Sequence, residues 1–143
     1  MFVPSAGLAR RGLPAILAAA ALCLLAGCGP RNGVSIQYYG YTIKASATSA
    51  HPGPAVFNID NKNGQVLHQF LVARTDTPAG QLHLGADGKV DESGLKIVAR
   101  VDQVEVGQSA SLTAFLAPGH YVLLCNIVGH YQLGMHADFT AAP

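Results

Sequence analysis

From Val34 to Ala141 the chain runs as short apolar stretches cut by turn residues, and nowhere does it sustain the period of an amphipathic helix. Strands are predicted near 34–39, 41–48, 54–60, 66–73, 95–101, 109–116, 120–125 and 135–141. His51-Pro52-Gly53-Pro54, Asn61-Lys62-Asn63-Gly64, Glu105-Val106-Gly107 and Pro118-Gly119 supply the turns between them. About eight short strands with that punctuation predict an all-β Greek-key β-sandwich over residues 34–143. The segment 75–94 breaks the rhythm. It carries Asp87, Asp91 and Glu92 near its end, and is expected to hold one helical turn or to form an excursion between sheets. Its residues assign it no chemistry.

Residues 1–27 have the character of an export signal. Arg10 and Arg11 give a positive start, and Leu13 to Leu25 form an apolar run too short and wrongly flanked for a membrane span. Leu25-Ala26-Gly27-Cys28 closes that run with small residues and resembles a bacterial lipobox, which implies cleavage before Cys28 and lipid on its sulfur. An ordinary cleaved signal with an incidental cysteine is the plainer alternative. Residues 28–33 then form the lipidated cysteine and a short tether, holding the domain close to a bacterial membrane on its periplasmic or outer side.

Cleavage leaves roughly 115 residues, enough for one domain with its own core. Of nine basic side chains two, Arg10 and Arg11, go with the signal, so seven face eight acidic ones. No basic face or charge run speaks for nucleic acid, and there is neither an internal repeat nor a phosphate-cradling glycine loop.

Cysteine arithmetic is more telling. Cys23 lies in the signal and Cys28 takes the lipid, so Cys125 stands alone in the mature domain and no internal disulfide can form. A lone exported thiol is a liability unless something protects it, and metal ligation is the obvious protection. LCNIVGHYQLGM (124–135) spaces Cys125, His130 and Met135 with four residues in each gap. A thiolate, an imidazole and a thioether are ligands that copper favours; a second imidazole completes the His₂Cys set with a long thioether bond that marks a blue-copper site. His68, in VLHQFLVAR, is the natural second imidazole. Period-two alternation puts Cys125 on the face of Tyr121 and Leu123, and His68 on the face of Phe70 and Val72, both interior. Gly129 and Gly134 let the loop between Cys125 and Met135 turn back.

The remaining histidines read as surface residues: His51, His83 and His120 in turns or in the excursion, and His136 pointing away from Met135. The backbone amide of Gln69 is placed to hydrogen-bond the Cys125 sulfur. Ile127, Val128, Tyr131 and Leu133 either rim the His130 imidazole or pack beneath the loop. No Asp, Glu, Lys or Arg occurs between Tyr121 and Ala137. A dry, uncharged surrounding disfavours the more charged oxidised state, so a comparatively high reduction potential is expected.

These residues resemble those of the cupredoxins, the small blue-copper proteins, through FNIDNKNGQVLHQFLV (57–72) and APGHYVLLCNIVGHYQLGMHADFT (117–140). The loop length is nearer to rusticyanin and sulfocyanin than to plastocyanin. The resemblance implies one copper ion, with His68, Cys125 and His130 as equatorial ligands and Met135 as the axial one. Cys125 has no flanking histidines and no CxxxC pair, so the multicopper-oxidase and binuclear arrangements are missing. The implied function is a one-electron carrier that is not itself an enzyme. It is expected as a monomer, meeting a cytochrome or oxidase near His130 and reaching the membrane through its N-terminal lipid. The alternative is an extracytoplasmic protein that buffers or delivers Cu(I).

Overall fold

Along Asn32–Tyr39, Val34, Ile36 and Tyr38 are buried while Ser35, Gln37 and Tyr39 face solvent, the alternation of a strand with one wet face. In the computed structural model, which describes residues 32–62 and 65–143, this strand is β1. It is followed by β2 (Thr42–Ala45), β3 (Ser49–Ala50), β4 (Gly53–Asp60), β5 (His68–Arg74), β6 (Lys96–Val104), β7 (Ser109–Leu116), β8 (Gly119–Leu124) and β9 (His136–Ala141). One sheet runs β2-β1-β4-β7 and the other β3-β9-β8-β5-β6. The predicted all-β sandwich is therefore present, with nine strands among the described residues. The signal, Cys28 and the first three tether residues lie outside them; the last two, Asn32 and Gly33, already belong to β1. No helix among the described residues is long and apolar enough to cross a membrane.

The predicted strand 41–48 is shortened to Thr42–Ala45, and a further strand that was not predicted follows it at Ser49–Ala50. Ser46 closes the first by donating its amide to Ser35 and accepting the Ser35 amide on its hydroxyl. The chain then crosses to the other sheet, where Ser49 and Ala50 pair in parallel with Thr140 and Ala141. Thr and Ser side chains that bond nearby backbone offer the chain an alternative to the ladder, and here that alternative makes the crossing. Segment 75–94 is an excursion, as expected, with two single 3₁₀ turns, Ala79–Gln81 and Glu92–Gly94.

Between the sheets lies the main core, in which Phe57 meets Phe70 and Phe139 with ring centroids 5.5 and 5.6 Å apart. Such tilted and edge-on pairs add about 0.5–1.5 kcal/mol each beyond the area they bury. A second core lies outside the five-stranded sheet. There Leu71, Ala73, Val122 and Leu124 pack under Ala79, Leu82 and Val90 of the excursion. β5 and β8 are therefore buried on both faces. Antiparallel pairing of Leu71 with Leu124 brings the start of β5 to the end of β8, so His68 and Cys125 gather at one pole.

Candidate metal centre

β8 carries Tyr121 and Leu123, and Cys125 directly after it, into the main core, and β5 carries His68, Phe70 and Val72 to the same side. After Cys125 the loop folds on itself through its own backbone. Cys125 N–H donates to the Met135 carbonyl at 3.0 Å, and Met135 N–H donates to the His130 carbonyl at 3.1 Å. His130 N–H in turn reaches the Ile127 carbonyl at 3.0 Å. Gly129 and Gly134, with φ of 84° and 106°, occupy backbone conformations that side-chain-bearing residues resist. His68 is delivered by a staple: buried Asn61 donates to the carbonyls of Val66 and Val104, fixing the approach to β5.

The loop and the strand meet in a tight cluster. His130 Nδ1 lies 3.3 Å from His68 Nδ1 and 3.4 Å from Cys125 Sγ. Taken together, the ligand atoms of His68, Cys125 and His130 all fall within 4.8 Å of one another. Trigonal bonds of about 2.0 Å to nitrogen and about 2.3 Å to sulfur make edges of ~3.5 Å between nitrogens and ~3.7 Å from nitrogen to sulfur. The two edges are within a few tenths of an ångström of that. A His₂Cys set of this shape fits one copper ion.

Electrostatics agree with the donor set. Burial first, then the neighbouring His130, lowers the His68 pKa to about 4; the Gly40 backbone pulls weakly the other way, short of a formed hydrogen bond, since Nε2 has no partner. Burial also lowers the pKa of His130. Both imidazoles are thus kept neutral, as ligands must be. Burial pushes the Cys125 thiol up, opposed by the backbones of Gln69 and Ile127. A bound cation reverses that cost, because its charge favours the thiolate.

Around the cluster, Gln69 N–H donates to Cys125 Sγ at 3.3 Å, where the sequence expects it. The carbonyl of the same residue accepts from the Tyr38 hydroxyl at 3.0 Å, and the Tyr38 ring packs 4.6 Å from the His68 ring. Burial, followed by the nearby Cys125, raises the Tyr38 pKa, so it stays a donor. Tyr41 sets its edge against His130 at 5.0 Å between centroids. Sequence reasoning missed both tyrosines. Tyr38, Tyr39 and Tyr41 are visible as an aromatic cluster, but nothing local says which of them the opposite sheet meets.

The other expectations divide. Met135 is fully buried in the core that holds Cys125. His136 stacks against Tyr131 on the opposite face, at 4.7 Å between centroids. His120 is more than a surface residue: it bonds the Thr75 carbonyl and, at 2.9 Å, Asp138, tying the excursion to β9. Of the four apolar loop residues, Val128 and Leu133 are exposed, Ile127 packs against the main core and Tyr131 is buried under the excursion. The rim is therefore narrower than the sequence allows, and Tyr41 joins it from the turn between β1 and β2.

A mixed β-sandwich with a buried His–Cys–His cluster at one pole defines a cupredoxin, a blue-copper protein of the electron-transfer class. Residues 44–142 match the Sulfocyanin (SoxE) domain, and the chain belongs to that family. Among solved structures it is similar to a dithionite-reduced auracyanin from Roseiflexus castenholzii. That pair shares 21% identity at a TM-score of 0.58, over 80% of this chain and 100% of the other. Auracyanin A of Chloroflexus aurantiacus, described as a "blue" copper protein, is 20% identical with a TM-score of 0.54, over 77% and 98% of the two chains. A rusticyanin variant is 17% identical with a TM-score of 0.59, over 77% and 76%. At these identities the likeness concerns the fold. No curated protein sequence matches the chain.

Proposed function

We propose that the protein is a one-electron carrier, not an enzyme, exported and held at the outer face of a bacterial membrane by lipid on Cys28. The observation that carries the reading is the pre-gathered trio of His68, Cys125 and His130. Bound copper supplies the redox couple, Cu(II) taking one electron from a donor protein and Cu(I) returning it to an acceptor. Everything else falls to the chain. His68 opens β5 and Cys125 directly follows β8, two strands buried on both faces, and ligands held by such elements keep reorganisation small. Met135, buried in the core that also holds Cys125, would offer the copper its thioether as a weak fourth donor. Gln69 holds the sulfur in place. His130, 8% exposed, is the ligand nearest solvent, and Val128, Leu133 and Tyr41 around it form a small apolar face for a cytochrome or oxidase.

Orientation supports the tether. β1 and β4 run in parallel, and Asn32 opens β1 beside Ala55, while Tyr38 near the other end of β1 touches His68. A lipid joined just before Asn32 leaves the copper pole facing away from the bilayer. Cu(I) delivery is less well supported, because His68, Cys125 and Met135 are buried and offer an acceptor little to grasp.

Loading the purified domain with Cu(II) should give the intense thiolate-to-copper visible band and fast electron self-exchange. A colourless protein that takes only Cu(I) and surrenders it to a chelator would favour delivery. Met135→Leu should raise the reduction potential; an unmoved potential removes Met135 as axial ligand. Cys28→Ser should move the protein from the membrane fraction to the soluble one.

A further inference from the structure

Each loop ligand is followed by a residue that points the other way. Cys125 and His130 face the main core, whereas Asn126 and Tyr131 turn out through the sheet, and both are buried. What buries them is the excursion. The Asn126 carboxamide accepts from Val90 N–H at 2.7 Å and donates to the Val90 carbonyl at 3.1 Å, so one side chain takes the place of a neighbouring strand. The same amide group also donates to Glu92, which Arg100 holds in an ion pair at 3.1 Å. Five residues on, the Tyr131 hydroxyl accepts from Leu82 N–H at 2.9 Å and donates to the Ala79 carbonyl at 2.6 Å. Gln132 adds a bond to the Gly88 carbonyl at 2.9 Å. Each end of the excursion thus grips the residue directly after a ligand.

We infer that segment 75–94 is a clamp on the ligand loop, and that Asn126 and Tyr131 are positioning residues through which it holds Cys125 and His130 still. A loop fastened only by its own turns opens readily, since such segments populate the low-stability end of a protein. Here the outward bonds are buried, where a lost partner leaves a polar group unsatisfied, so opening must break the excursion's bonds as well. The redox consequence rests on the carrier reading: a ligand set that cannot shift keeps the change between oxidation states small. The clamp itself does not.

Tyr131→Phe and Asn126→Ala remove the grip while leaving every ligand in place. Tyr121→Phe is the control: it deletes a hydroxyl bonded to the Ala117 carbonyl at 2.8 Å, at the end of β8 remote from Cys125. In the metal-free protein, hydrogen exchange at the His130, Leu133 and Met135 amides should quicken by at least about tenfold in the first two variants, each of which loses more than one hydrogen bond, and not in the control. In the copper-loaded protein, the first two should exchange electrons more slowly and shift the reduction potential, with the visible band retained. Loop amides no faster than in Tyr121→Phe, or a slower exchange that merely tracks global stability in all three variants, would overturn the clamp. Because exchange is read without metal, it decides the clamp whether or not copper binds. If Asn126→Ala fails to fold, Gln132→Ala takes its place with a smaller effect in the same direction.

Discussion

The two supports of the copper site are built differently. His68 stands on β5, which is hydrogen-bonded to β6 and β8 and buried on both faces. His130 stands on a loop whose backbone bonds stay within the loop and its two ends, and whose outward side chains are anchored by the excursion. A strand gets its stiffness from the sheet. A loop has to borrow it from whatever packs behind. The strand side is therefore the fixed wall of the site, and the loop side is the part that evolution or mutation can adjust, and the part that meets solvent.

Cys125→Ser should have the largest effect, since it touches both supports at once: the visible copper band should vanish while the far-ultraviolet dichroism of the sandwich persists. A variant that kept the band would mean that the sulfur is not a ligand. Phe70→Ala tests the wall. Phe70 is fully buried beside His68 and in contact with Phe57, so its loss should cost about 3–5 kcal/mol in denaturant unfolding. A cost near that of a surface change would show that β5 is not the rigid side. Tyr38→Phe removes one hydrogen bond behind the same wall, to the Gln69 carbonyl, and about 1 kcal/mol is expected. It should also shift the potential slightly, because Gln69 bonds the sulfur. Leu133→Ser, on the loop side, should leave stability within about 0.5 kcal/mol, since Leu133 is 59% exposed. It should instead slow electron transfer to the physiological partner. If stability dropped as far as in Phe70→Ala, the loop would be as deeply packed as the strand, and the contrast would fail.

Much of this was legible locally. Period two put Cys125 and His68 on interior faces, and the single cysteine after Cys28, with a gap of four residues before His130, announced a thiolate site. The expected bond from the Gln69 amide to the Cys125 sulfur is also present. Other features were not legible, because they depend on which distant segments meet. The early end of β2 and the separate β3 after it follow from Ser46 bonding Ser35 across the turn and from an open edge on β9. The burial of Tyr131 could not be read from an apolar loop that fits a rim equally well. The uncharged stretch from Tyr121 to Ala137 holds along the chain, yet through space Glu92 reaches Asn126, next to Cys125, with Arg100 behind it.

The sequence by itself determined the class of fold, the kind of metal and which side chains are chemically able to hold it, because alternation, turn residues and ligand softness are properties of neighbours along the chain. Only the tertiary structure decided that the three donors meet at one pole, that Tyr38 and Tyr41 border them, and that 75–94 braces the loop. Those facts depend on pairing between strands tens of residues apart. The free energy that selects such a pairing comes from whole buried faces, and no short stretch of residues carries it.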